Sequence, residues 1–261
     1  MKSPLYHQNL NMEKEILSKI RLYDLLSRLE SGPGEYLSLY MRTSSLPYCA
    51  NGPSLRPQYQ TYVHEIKESI NIKVVAQAVE RYNTGIAIYW QENGNKHMVL
   101  PPFPITEDRT SLGKLDASAL LEALEREYTI GVVLVTWGTY SIGVFHGDNL
   151  AKSKTGTGYI HKEHRKGGRS QKRFARRTEE QRRSFLRRVS NRIEEEFENY
   201  KLDYMFLGGN RLIRAPLLRE CKYLQRENQI ISQRALNFRY ADTEALSHSL
   251  KEITSSLVFT F

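Results

Sequence analysis

Residues 130–146, IGVVLVTWGTYSIGVFH, decide the reading of this chain. Two apolar runs flank Gly138, a residue that reaches positive φ without steric cost, so the stretch predicts a β-hairpin of two buried strands. Downstream, residues 147–170 hold five glycines among polar and basic side chains and read as a mobile loop. A long helix is expected over about 170–199, with Phe174, Phe185, Val189, Ile193 and Phe197 turned inward at mostly four-residue spacing. LDYMFLGG (202–209) predicts a strand, and NRLIRAPLLREC (210–221) a helix with Pro216 at a turn or kink. ALNFRY (235–240) predicts another strand and 242–257 a last helix. Hairpin, loop, helix, strand, helix, strand, helix is an α/β layer built on a mixed sheet.

Working outward towards the N-terminus, a helix is expected at 116–127. Before it, Pro101, Pro102 and Pro104 with TEDRTSLGK (106–114) read as a boundary and linker. TGIAIYW (84–90) and KHMVLP (96–101) predict two strands around Asn93-Gly94-Asn95, and EYLSLYM (35–41) a third. Residues 12–30, with Ile16, Ile20, Tyr23, Leu26 and Leu29, predict an amphipathic helix closed by Ser31-Gly32-Pro33-Gly34. A second helix is expected at 59–82, with Val63, Ile66, Ile70, Val74 and Ala78 on one face. The fold class is therefore α/β (α+β): a smaller α/β domain over 1–110 and a mixed-sheet domain over 111–261.

Charge is the other decisive feature. Residues 160–192 carry thirteen Lys/Arg against three Asp/Glu, whereas the other 228 residues carry 25 against 26. The excess cation therefore forms one localised site, and so many like charges in one segment call for a polyanionic partner. The composition, 40% hydrophobic and 26% charged, is globular. Cys49 and Cys221 give neither a disulfide framework nor a metal set, in keeping with a reducing cytoplasm. The longest apolar run, Ile130 to Trp137, is far short of a membrane span, and the N-terminus has no apolar signal-peptide core. A cytoplasmic protein without membrane association is expected.

The segment HRKGGRSQKRFARRTEEQRRSFLRRVSN (164–191) resembles the catalytic loop of the eukaryotic and archaeal class-1 peptide chain release factors. There a Gly-Gly-Gln turn precedes a helix of similar Arg-Phe-Ala-Arg pattern. The likeness continues in YTIGVVLVTWGTYSIGVFHGDNL (128–150) and DYMFLGGN (203–210), and more weakly in GEYLSLYM (34–41) and TGIAIYW. It implies an RNase H-like fold for the second domain and a loop that reaches the peptidyl-transferase centre of the large ribosomal subunit. Aligned on Gly167-Gly168, the glutamine position of those factors is Arg169, and a glutamine, Gln171, follows two residues later. That GGRSQ arrangement looks like the release-factor-like peptidyl-tRNA hydrolases of ribosome quality control. Asn71-Ile72-Lys73 resembles the codon-reading motif of termination factors, but Val74 stands where those have serine and the segment after it is too short for their codon-reading hairpin. A turn of the second helix is the plainer account.

On this resemblance the catalytic candidates are Gly167, Gly168, Arg169, Ser170 and Gln171. A glutamine amide is too weak a base to remove a proton, but it can position water, and backbone N–H groups of a glycine-rich turn can receive an oxyanion. Arg165, Lys166, Lys172, Arg173, Arg176, Arg177, Arg183 and Arg187 are the candidates for gripping RNA phosphates. The partners implied are the large ribosomal subunit and peptidyl-tRNA, met by a monomer without a cofactor. Cleavage of the tRNA acceptor end, a non-catalytic ribosome-binding role and codon-dependent termination are the competing functions.

Other features have plainer readings. His161 and His164 are two ligands at most, and no Cys accompanies them, so no metal site is expected. Gly156-Thr157-Gly158 is too short for a phosphate-binding fingerprint. Tyr159 is a candidate for base stacking, though a loop tyrosine more often packs on its own domain. The acidic run Glu194, Glu195, Glu196 and Glu198 reads as a solvated helix end.

Overall fold

The computed structural model describes residues 12–46, 60–160 and 169–261. It divides into two compact units: Met1–Glu125 with Thr254–Phe261, and Arg126–Ile253. This differs from the expected break near residue 110. Two strands account for the difference. The supposed linker forms β5 (Arg109–Gly113), which pairs with β2 (Tyr36–Met41) in the register Tyr36↔Gly113. The expected last helix stops at Ile253, and β10 (Ser256–Thr260) joins the first unit's sheet. Neither is betrayed by apolar alternation: β5 is a largely exposed edge strand, and β10 is buried on both sides.

The first unit is one antiparallel sheet in the order β1-β10-β4-β3-β2-β5, with β1 at Glu13–Leu17, β3 at Ile86–Trp90 and β4 at Lys96–Leu100. Both faces are covered. Leu22, Leu26 and Leu29 of α1 (Lys19–Ser31) and Leu120 and Leu124 of α4 (Ser118–Glu125) cluster with Tyr36, Tyr40 and Tyr89. Val75 and Ala78 of α3 (Lys73–Tyr82) cluster with Leu37, Leu39 and Ile88. Burial from two sides explains why every residue of β2 is buried. Burial, with Arg28 nearby, also pushes the pKa of His97 down from 6.5 to about 4.

Two helical expectations fail here. Residues 13–17 are strand because pairing with β10 overrides the helical spacing, and Ile16 and Ile20 end up exposed. The helix expected over 59–82 breaks at Ile72 into α2 (Gln60–Asn71) and α3, which rotates Val74 outward and Val75 inward. Asn71-Ile72-Lys73 lies at that break, with Asn71 and Lys73 exposed.

The second unit contains the hairpin β6 (Thr129–Thr136) and β7 (Thr139–His146), antiparallel in the register Thr136↔Thr139. Gly138, at φ +95, supplies the positive φ of the turn. The meander continues: β8 (Asn149–Thr157) pairs with β7, so nine residues of the expected mobile loop are strand. Its side chains are mostly exposed because it is the sheet edge, which is why its composition reads as loop. The long helix α5 (Arg169–Phe197) leads to β9 (Tyr204–Gly209), parallel to β6, giving the mixed sheet β8-β7-β6-β9.

Helices α6 (Arg211–Glu220) and α7 (Lys222–Arg226) follow, α6 capped by Asn210 accepting from the Leu212 N–H. Pro216 is accommodated inside α6. The strand expected at 235–240 is reduced to one isolated bridge, Gly208↔Leu236; a second bridge, Met205↔Ile231, precedes it. Helix α8 (Thr243–Ile253) packs on the meander, where a Cβ on Gly143 would lie 2.9 Å from Leu246. Buried Arg234 donates to the carbonyls of Glu252 (2.7 Å) and Ile253 (2.5 Å), closing the end of α8.

Candidate functional site

Between Arg169 and Phe197 there is no glycine or proline, and nine Arg and five Glu make up about half of the residues, so an uninterrupted helix of about 43 Å follows from propensity and rise. The helix has two environments. Phe185, Leu186, Val189, Ile193 and Phe197 are buried in one cluster with Val133, Val135, Ile142 and Val144 of the hairpin. Towards the start, Arg173, Phe174, Ala175, Arg176 and Arg177 are all exposed, and Thr178 is the first buried one among the described side chains. Phe174, expected inward, is 49% exposed. Its spacing from Thr178 and Phe185 does continue the inward stripe, but among the described residues Phe174 lies outside the cluster that buries Phe185.

The packed part of the helix begins at the hairpin tip. The Arg182 guanidinium lies 4.9 Å from the Trp137 ring centre, and the Trp137 and Phe185 rings are 6.5 Å apart. The Gly158 N–H donates to the Gly138 carbonyl at 2.7 Å. A side chain on Gly158 would collide with Arg188 and come within 2.7 Å of Phe185, so the chain leaves β8 flush against the helix. Tyr159, next along, is 76% exposed. Arg182 and Arg188 thus brace the base of the basic segment, a role that the charge count alone did not reveal; Trp137 at the hairpin tip was the available signal.

Of the phosphate-gripping candidates, Arg173, Arg176, Arg177, Arg183 and Arg187 are exposed. At 100° per residue they fall within about 120° of helical arc, opposite the buried stripe, over about 21 Å of axis. Arg176 pairs with Glu180 (3.1 Å), Arg183 with Glu179 (3.4 Å) and Arg187 with Glu220 (3.5 Å). Such exposed pairs are worth little and readily exchange for phosphate. Arg173 and Arg177 have no ion-pair partner among the described residues.

Arg165, Lys166, Gly167 and Gly168, together with His161 and His164, lie outside the described residues. Arg169, Ser170, Gln171 and Lys172 form the first turn of α5; their side chains lie outside what is described. The backbone N–H groups of a first helical turn have no intrahelical acceptor, which makes that position receptive to an anion.

The acidic end of the helix is not simply solvated. Glu196 is buried, held by Lys152 of β8 at 3.0 Å and Arg192 at 3.6 Å. A cavity of about 430 Å³ lies between Val135, Leu207, Ile213 and Leu236, with Arg211 and Arg214 at its wall; none of the candidate residues lines it. Burial lowers the pKa of Arg214. Among the described residues no group of three His, Cys, Asp or Glu side chains is placed to hold a metal, and no helix is long and apolar enough to cross a membrane.

Among solved structures the chain is similar to an archaeal translation termination factor, aRF1, at 19% identity and TM-score 0.40, covering 91% of this chain and 70% of that one. Pelota of Archaeoglobus fulgidus matches at 11% identity and TM-score 0.33, covering 92% and 61%. Dom34 of S. cerevisiae, a translation termination-like factor involved in RNA quality control pathways, matches at 9% identity and TM-score 0.32, covering 93% and 66%. No curated protein matches the chain. The family model for the Actinobacteria/chloroflexi VLRF1 release factor matches residues 128–258. That span is half of the chain and runs from the hairpin through the arginine face to β10. The chain therefore belongs to the VLRF1 release factor family.

Proposed function

We propose that the protein is a ribosome-associated peptidyl-tRNA hydrolase that frees nascent chains from stalled ribosomes or large subunits. The observation that carries this reading is the arginine face of α5. Five of the exposed arginines line one face of a helix whose first turn follows directly on the glycine pair, so RNA binding would deliver that turn to the tRNA acceptor end. Membership of a release factor family supports the same substrate.

The peptide of peptidyl-tRNA is an ester of the terminal ribose. Water adds to the carbonyl carbon, the bond to the ribose oxygen breaks, and a free carboxylate and an intact tRNA 3′ end result. In this reading the Gln171 amide orients the water. Gly167 and Gly168 allow close backbone approach, and N–H groups from Gly167 to Ser170 face the developing oxyanion. Arg169, at the aligned glutamine position, and Ser170 complete the turn. Arg165, Lys166 and Lys172 extend the phosphate grip of the helix.

The test uses peptidyl-tRNA on isolated large ribosomal subunits, with the peptide and the tRNA 3′ end both analysed. Gln171→Ala is expected to bind as the parent does and to lose release by at least a hundredfold, and Gly168→Ala to behave likewise. Release undiminished in Gln171→Ala removes that residue from the mechanism. A shortened tRNA, with nucleotides left on the peptide, replaces ester hydrolysis by cleavage of the acceptor end. Tight binding by a parent protein that releases nothing leaves a binding factor.

A further inference from the structure

We propose that Phe174 is a base-stacking site: on binding, its ring packs against an unpaired base of the RNA whose phosphates the neighbouring arginines hold. This deepens the reading of the arginine face as an RNA-binding surface and rests on it. Phe174 is 49% exposed, and its neighbours on the helix, Arg173, Ala175, Arg176 and Arg177, are all exposed as well. No hydrogen bond or ring contact involves it among the described residues. Large exposed apolar side chains are unremarkable when scattered singly over a neutral surface. This one sits at the head of a 29-residue helix, among cations and, among the described residues, outside the buried cluster that holds Phe185.

Its position is set by the helix that buries Phe185. Counting from Phe185, Phe174 is eleven residues back, three turns, and therefore returns to nearly the same azimuth about 16 Å further along the axis. The inward stripe has continued while the sheet has ended near Trp137 and Gly158. Arg173 and Arg177 flank the ring at one residue before it and three after, and neither has an ion-pair partner among the described residues. A protein groove that received an apolar helix stripe would have to cover these two guanidinium groups at the same time. Single-stranded RNA fits both features at once, because every nucleotide carries a phosphate for the guanidinium and a flat apolar face for the ring.

Two polyanions separate ring from charge: a single-stranded RNA dodecamer and inorganic polyphosphate of matched charge, which has no bases. Phe174→Ala is expected to weaken RNA binding about tenfold, the loss of one aromatic–base stack, and to leave polyphosphate binding and the salt dependence unchanged. Phe174→Tyr should retain affinity and Phe174→Leu should lose it as Ala does. In Phe174→Trp, the added tryptophan emission should be that of an exposed indole in the free protein and should be quenched by RNA but not by polyphosphate.

Several results overturn the inference alone: RNA affinity unchanged in Phe174→Ala, full affinity in Phe174→Leu, or equal losses for RNA and polyphosphate. Blue-shifted emission from Trp at position 174 in the free protein would assign the ring to a cover within its own chain. A parent protein that binds neither polyanion overturns the RNA-binding reading itself, and this inference with it.

Discussion

The two ends of helix α5 obey the same sequence rule and meet opposite fates. From Phe185 to Phe197 the apolar stripe is buried under the hairpin, and even the acidic residue Glu196 is drawn into an ion pair with β8. From Arg173 to Arg177 the stripe holds Phe174 and faces water. Charge separates the ends as well. A helix is stabilised by acidic residues in its first turn and basic residues in its last, and this one has neither. Its cations crowd the end where the backbone dipole is positive. Local stability would not select that arrangement; binding a polyanion at the helix start would. The packed end is built for the fold, and the free end is kept against the preference of the fold.

The largest effect should come from reversing the free end. Changing Arg176, Arg177, Arg183 and Arg187 together to Glu should lower affinity for ribosomal subunits by more than about a hundredfold and reduce the slope of log affinity against log salt by about three. All four side chains are exposed, so the circular dichroism spectrum should match the parent's. Equal affinity at two salt concentrations would mean that the arginine face is an ordinary solvated surface, and the contrast between the two ends would lose its functional meaning.

A second comparison uses two phenylalanines on one stripe. Phe185 is fully buried against Trp137 and Tyr140, and Phe185→Ala should cost about 3–5 kcal/mol in denaturant unfolding. Phe174→Ala, with no core to leave, should change stability by less than about 0.5 kcal/mol. A comparable cost at both positions would show that the helix start is packed in solution, and would erase the distinction.

This pair of residues also marks where sequence reading succeeds and stops. Periodicity placed the stripe correctly from Phe185 to Phe197, because a buried helix face repeats at the helical period. It placed Phe174 inward too, since periodicity gives azimuth and says nothing of where the partner sheet ends. The hairpin at Gly138 was legible from two apolar runs and a glycine, and β9 from a run of apolar residues. β8 and β5 were not, because edge strands present polar side chains and are held by backbone pairing that leaves no mark in composition. β1 carries helical spacing and only its partner β10 makes it a strand. Of the site, the position and sign of the charge were legible. The arginine arc opposite the core and the brace of Arg182 on Trp137 required knowing which face the hairpin covers.

The smallest effect is the most diagnostic, because stability and binding should move in opposite directions. Arg173 lies near the positive end of the helix dipole, has no ion-pair partner among the described residues and precedes Arg177 by four positions. Arg173→Glu removes a cation from the unfavourable end and places an acid where it can pair with Arg177 in the favourable order, acid before base. Stability should rise by about 0.5 kcal/mol. The same change removes one phosphate contact and adds a repulsive charge, so RNA affinity should fall several-fold and the salt slope should shrink by about one. Chemical unfolding and a salt titration of RNA binding on one preparation measure both. A variant that loses stability and affinity together would show that Arg173 holds the fold, and the claim that the free end is maintained against local stability would fall with it.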